Sequence, residues 1–273
     1  GLILFTLSIY YFLKFEESNN IKFAIYNVVF LALSSYISPN FSVFSIFFFT
    51  KFVLNFSFFS KKILSIIIIN LVLALPVFYY IFVLDMNFLL KSAAIGIEKN
   101  ERIIFNNLFN DILITFSIIF FYLIPFLFFK IIRIDNILNI RNILISVFIF
   151  LICILNFNYN YFYSGGGIFF KISNYIFHNN YLFYFISFFA VLITCALILK
   201  NYQNVFLFIL VILNNPQYTI YHKYFDPFLL IAFFTIFSFN HDLKKIFYAK
   251  NYLFIFAYFL IFLIISNLKL IYV

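Results

Sequence analysis

The chain has 273 residues, of which 66% are hydrophobic and only 10% charged, and it carries a formal net charge of +9. A soluble domain is about half apolar and about a quarter charged, so this composition argues against a water-facing globule and for a chain solvated by lipid. The basic excess does not point to nucleic acid, because the Lys and Arg residues are spread over short segments between apolar runs, the pattern of a topology signal.

Phenylalanine (49 residues) and tyrosine (21) are abundant, while Gly, Pro and Met are scarce and Trp is absent. Such a bias matches AT-rich codon usage, so the Phe content is not read as a stacking surface. Gly1 already lies in an apolar run and the only methionine is Met86, which reads as a fragment with no visible leader. Cys153 and Cys195 each sit in an apolar run without a ligand-like neighbour, so both read as small apolar residues.

A spanning helix needs ~20 mostly apolar residues, and about ten candidates follow in chain order. They cover 1–13, 22–38, 40–59, 63–84, 112–129, 143–156, 181–199, 203–214, 226–240 and 252–267, the weakest being 203–214 and 226–240. Pro39 and Asn40 break the second run from the third, and Lys61 and Lys62 the third from the fourth. Pro76 and Pro125 fall inside apolar runs, where membrane helices tolerate proline. The predicted fold is therefore all-α, a polytopic helix bundle forming a single domain over residues 1–273. Short helices lying in the interface are predicted where the longer loops turn amphipathic, at Ile103, Ile104, Phe105 and Leu108 and at Ile168, Phe169, Ile172 and Ile176.

Loop charge alternates. The loops after the odd-numbered runs hold Lys14, Lys22, Lys61, Lys62, Lys130, Arg133, Arg141, Lys200, Lys244, Lys245 and Lys250. The remaining loops and the tail hold only Lys91, Lys99, Arg102, Lys171, Lys223 and Lys269. The excess places the first set on the cytoplasmic side. The three longest loops, 85–111, 157–180 and 215–225, then lie together on the outer side, where function is expected to concentrate.

Among the candidates for chemistry, the segment from Asn214 to Pro227 is the most informative. It brings His222, Lys223, Tyr224 and Asp226 together just ahead of an apolar run. A cation and an imidazole at the mouth of a bundle suit a phosphate or diphosphate head group; an interfacial aromatic belt with a lysine anchor is the alternative. Tyr218, Tyr221 and Tyr224 recur at a spacing of three, as on one face of a helical turn. Arg102 is a second phosphate candidate in the 85–111 loop, whose mixed charges, Asp111 among them, otherwise read as solvated. Gly165, Gly166 and Gly167 read as a flexible hinge rather than a phosphate cradle. Lys51, inside an apolar run, is read as reaching its stem toward head groups ~15 Å away. No metal-ligand cluster, Walker loop or nucleophile elbow is present, and no metal or cofactor is expected.

The many spans, the long outer loops, the polar turn Ser34-Ser-Tyr-Ile-Ser-Pro-Asn40 and the late His222-Lys-Tyr-Phe-Asp-Pro227 together resemble the GT-C glycosyltransferases. The first turn is similar to the Tyr-x-Arg-Gln-Tyr turn of some members, with neither the Arg nor the Gln. The second is similar to an Arg-Tyr-x-x-Pro segment found late in these enzymes and in polysaccharide polymerases. The resemblance implies a multi-pass hexosyltransferase, at home in a bacterial plasma membrane. It would move a sugar from a polyprenyl-phosphate donor to a glycan, lipid or protein acceptor on the outer face, with membrane lipid as its surroundings. It implies a lipid-phosphate site at Arg102, His222, Lys223, Tyr224 and Asp226. The catalytic carboxylate would lie in an outer loop ahead of Gly1, so no catalytic residue is assigned here. A transporter or flippase and an O-antigen-type polymerase remain the alternatives.

Overall fold

The computed structural model describes residues 1–84, 107–134, 137–160, 165–215 and 219–271, apart from the side chains of Lys223 and of residues 266–271. The described chain is all-α. It comprises eleven α-helices: α1 (Leu2–Ser18), α2 (Ile21–Ile37), α3 (Phe44–Phe56), α4 (Lys61–Phe82), α5 (Leu108–Phe128), α6 (Ile140–Leu155), α7 (Gly167–Phe177), α8 (Tyr181–Ile198), α9 (Tyr202–Leu213), α10 (Phe228–Thr235) and α11 (Ala249–Ile271). Three of them, α4, α5 and α8, are long and apolar enough to cross a membrane. The apolar helices α2, α6 and α9 are shorter, and the run 226–240 yields only the brief α10.

Local chemistry sets many of the boundaries. Side chains of Asn20, Ser60, Asn139 and Asn201 accept a backbone N–H in the first turns of α2, α4, α6 and α9, satisfying donors that a helix start leaves open. Pro39 opens a 3-10 turn, Pro39–Val43, that separates α2 from α3. Pro76 and Pro125 lie inside α4 and α5 as expected.

Helix α5 is the axis of the bundle. It is buried on nearly every side, from Asn110 to Phe126, which is why its sequence is apolar all round instead of striped. Helices α6, α7, α8, α9, α10 and α11 all pack on it. Helices α1, α2 and α3 form a second group joined through aromatic contacts, with Phe12 against Phe47 and Phe48 and Phe15 edge-on to Phe52. Phe228 of α10 packs on Phe5, Phe41 and Phe44 and so joins the two groups. Helix α4 is the outlier. Only Ile63 and Ile66 of it are buried, and it packs on α2 and α3 alone among the stronger contacts.

One end of the bundle is basic and tightly laced. Arg133 N–H donates to the Asn240 carbonyl, Asp242 N–H to the Ile131 carbonyl, and the Lys245 ammonium to the Lys130 carbonyl. Asn204 of α9 exchanges two bonds with the backbone of Ser238. Lys51 belongs to this lacing. Its Nζ donates to Gln203 Oε1 at 2.7 Å and pairs with Glu16 at 3.3 Å, while Gln203 Nε2 donates to the Ile236 carbonyl. The Lys51 ammonium is thus held by an amide acceptor on α9 at the basic end, with its side chain still 23% exposed. The Glu16 side chain is 37% exposed, so the ion pair is screened and the Gln203 bond is the stronger tie.

Lys51→Met is expected to lower the stability of the detergent-solubilised protein by ~1–2 kcal/mol. Glu16→Gln should cost less than ~1 kcal/mol. Thermal unfolding of the two variants side by side checks the order.

Candidate functional site

The stretch between α9 and α10 does not stay at the end of the bundle. His222 packs edge-on to Phe121 and lies against Tyr122, both beyond the midpoint of α5. It also meets Phe262 near the midpoint of α11, with ring centroids 5.1 Å apart. Two helices running in opposite directions therefore agree that His222 sits deep between them. The chain reaches this depth as loop and a single 3-10 turn, His222–Tyr224, and only then starts α10 at Phe228. Irregular backbone at such depth is tolerated where it is enclosed by protein or lines a site.

Tight junctions hold the segment down. Gly166 N–H donates to the Ile220 carbonyl at 2.8 Å, and Ile220 N–H donates to the Tyr159 hydroxyl at 3.3 Å. Gly165 and Gly166 adopt φ of 122° and 85°. A Cβ on Gly165 would stand 2.7 Å from the Ile220 carbonyl oxygen and 2.8 Å from the Tyr159 hydroxyl. These glycines are a close-packed joint, not the flexible hinge their composition suggests. Gly166 is the N-cap of α7, the short helix expected around Ile168–Ile176.

The histidine has one engaged face and one open one. Its Nδ1 lies 3.5 Å from the Tyr122 hydroxyl, while Nε2 is closed off from solvent and has no partner among the described residues. If Tyr122 O–H donates to Nδ1, the ring proton resides on Nε2 and that N–H is left as a free donor. Burial pushes the imidazole pKa down to about 4, and the Lys171 charge on α7 adds to the effect. Asp226, exposed at the mouth of the segment, has its carboxyl raised above the usual range by desolvation. Tyr224 is partly buried, its phenol raised by desolvation and then by Tyr221, whose ring it meets edge-on at 5.5 Å. That contact brings together two of the three tyrosines expected on one face of a helical turn; Tyr218 lies outside the described residues. The Asp226-Pro227 bond is cis.

Of the five site residues anticipated from sequence, His222, Tyr224 and Asp226 are described in one segment. The backbone of Lys223 lies in the same turn and its side chain is outside the described residues; Arg102 is outside them altogether. Tyr122 and Lys171 were not anticipated. A tyrosine in the middle of an apolar run was the available sign for Tyr122, because a buried phenol needs a partner. Asp111 also departs from expectation. It is only 3% exposed in the first turn of α5, and its Oδ1 has no partner among the described residues, so this carboxyl group is not part of a solvated loop. Nearby, Asn110 Nδ2 donates to Asn107 and to Asn158, and Asn158 N–H returns a bond to Asn110 at 3.0 Å. Among the described residues no group of three His, Cys, Asp or Glu is placed to hold a metal ion.

Comparison with protein families, with curated proteins and with solved structures finds no match to this chain.

Two outcomes follow. Gly165→Ala should destabilise by more than the ~1–3 kcal/mol of a strained backbone residue, since the clash with Ile220 adds to the strain; an unfolding curve reads it. Between pH 6.5 and about 4 the unfolded chain protonates the imidazole and the folded chain does not. His222 therefore contributes stability above pH 6.5 that is lost as pH falls through this window, and His222→Gln should flatten the slope.

Proposed function

We propose that the chain is a multi-pass membrane protein of about ten crossings that moves a sugar from a polyprenyl-phosphate donor to an acceptor at the outer face. The observation that carries this reading is the buried His222 Nε2, with no partner among the described residues, deep in the bundle and in the field of Lys171. A phosphate oxygen supplies the acceptor that an Nε2–H lacks, and the lysine compensates its charge. The rings of Phe121 and Phe262 beside the imidazole offer apolar walls of the kind an isoprenoid next to the phosphate prefers.

In this reading His222 and Lys171, together with Lys223 and Arg102, stabilise the phosphate as it departs from the sugar, which is the main electrostatic gain in such a transfer. Asp226 would repel a phosphate placed beside it. Its role here is to accept hydrogen bonds from sugar hydroxyls at the mouth of the site. The acceptor is a glycan, a lipid or a protein. The exposed apolar side chains of α4 and α11, Ile68, Leu71, Leu75, Phe256 and Leu260 among them, support a lipid surrounding. So does the gathering of Lys130, Arg133 and Lys245 at one end of the bundle.

A carrier is the second reading, and the irregular stretch ahead of α10 favours it, because interrupted helices at depth also mark transport sites. Reconstituted into liposomes with a labelled polyprenyl-phosphate sugar, the protein is expected to label an acceptor. The variants His222→Ala, Lys171→Met, Lys223→Ala and Arg102→Ala should each fall at least tenfold in transfer while still inserting. Equal transfer in all four overturns the phosphate site; movement of the donor across the bilayer without transfer moves the assignment to a carrier.

A further inference from the structure

A second polar site lies in the other group of helices, away from His222. Asn27 in α2 is fully buried, and its Nδ2 donates to Ser8 of α1 twice, to the carbonyl oxygen at 2.9 Å and to Oγ at 2.8 Å. The Ser8 hydroxyl in turn donates to the Asn27 carbonyl at 3.1 Å. A carbonyl oxygen only accepts, so the Ser8 carbonyl fixes which way the amide faces. Its nitrogen is turned to α1, and Oδ1 is left with no partner among the described residues. An orphan acceptor at such a place costs about 1–3 kcal/mol.

Beside Asn27 is a cavity of about 10 Å³ lined from α2, α3 and α4. Its polar lining is Asn27, Ser45 and Asn70, and the rest is Val28, Leu31 and phenylalanine. Asn70 spends Nδ2 on the Ile66 carbonyl of its own helix, which leaves Oδ1 free. Ser45 makes no side-chain hydrogen bond to a described residue. A volume of ~10–15 Å³ is what one water needs, and it needs two to four polar partners. The lining contains no carboxylate, so a cation there would be a buried charge without a counter-charge. The occupant must donate to Asn27 Oδ1 and be neutral.

We propose that one ordered water occupies this cavity and bridges Asn27 on α2, Ser45 on α3 and Asn70 on α4. It donates to the two amide oxygens and accepts from the Ser45 hydroxyl. The bridge matters most for α4, of which only Ile63 and Ile66 are buried, and whose other polar tie to α2 among the described residues is the Tyr36 phenol donating to the Leu73 carbonyl. The site owes nothing to the sugar-transfer reading and stands or falls separately from it.

The test is a double-mutant cycle between Ser45 and Asn70, which share no direct bond. The variants Ser45→Ala, Asn70→Leu and the pair are compared by thermal unfolding, leaving Asn27 and the Ser8 junction intact. Because either change removes a partner of the same water, the double variant should lose no more than about the larger single loss. Additive losses, as expected for independent sites, overturn the bridge. An experimental map should show a peak ~3 Å from Asn27 Oδ1, and an empty cavity overturns the proposal. Replacing sodium by choline should leave the midpoint unchanged; a sodium-dependent rise overturns water in favour of an ion.

Discussion

Polar groups inside an apolar bundle must find partners within the protein, and this requirement governs the whole architecture. Where a partner exists, the bond ties helices distant in sequence. Ser8 and Asn27 join α1 to α2, Asn204 and Ser238 join α9 to the end of α10, and Lys51 reaches Gln203 across the bundle. Apolar packing brings the helices together without fixing their register, since phenylalanine rings accept many mutual angles. The few amide and hydroxyl bonds are directional, and they supply the register.

The same requirement makes the exceptions informative. Asn27 Oδ1 and His222 Nε2 are both shut away and both without a partner among the described residues, yet they differ in kind. The first is a neutral acceptor beside a cavity the size of one water. The second is an ionisable ring at the end of an irregular segment, between aromatic walls and within reach of a lysine field. A neutral acceptor calls for a small donor; a ring nitrogen beside positive charge calls for an anion. Asp111 is a third case, a shielded carboxyl group in the first turn of a helix, which desolvation disfavours as an anion.

The glycine junction shows how depth is achieved. The segment around Ile220 can approach α5 only because Gly165 has no Cβ to collide with its carbonyl and Gly166 none to collide with the rings of Phe170 and Tyr159. Tyr159 then supplies an acceptor for the Ile220 N–H. With both backbone groups satisfied, the chain can enter the bundle without forming a helix first. The joint is thus a steric and hydrogen-bonding condition for placing His222 beside Tyr122.

From the sequence alone came the helical class, most helix positions and many of their ends, because these depend on local composition, on prolines and on Asn or Ser caps within a few residues. It also grouped His222, Tyr224 and Asp226, which are neighbours along the chain. Tertiary structure alone decided that Lys51 bonds Gln203, that His222 meets Tyr122, and that Asp111 is buried. It also decided that the helix in the run 226–240 is only the short α10, Phe228–Thr235. The reason is physical: these pairings join residues far apart in sequence, and local hydropathy is identical whether an apolar residue faces a neighbouring helix or the surroundings.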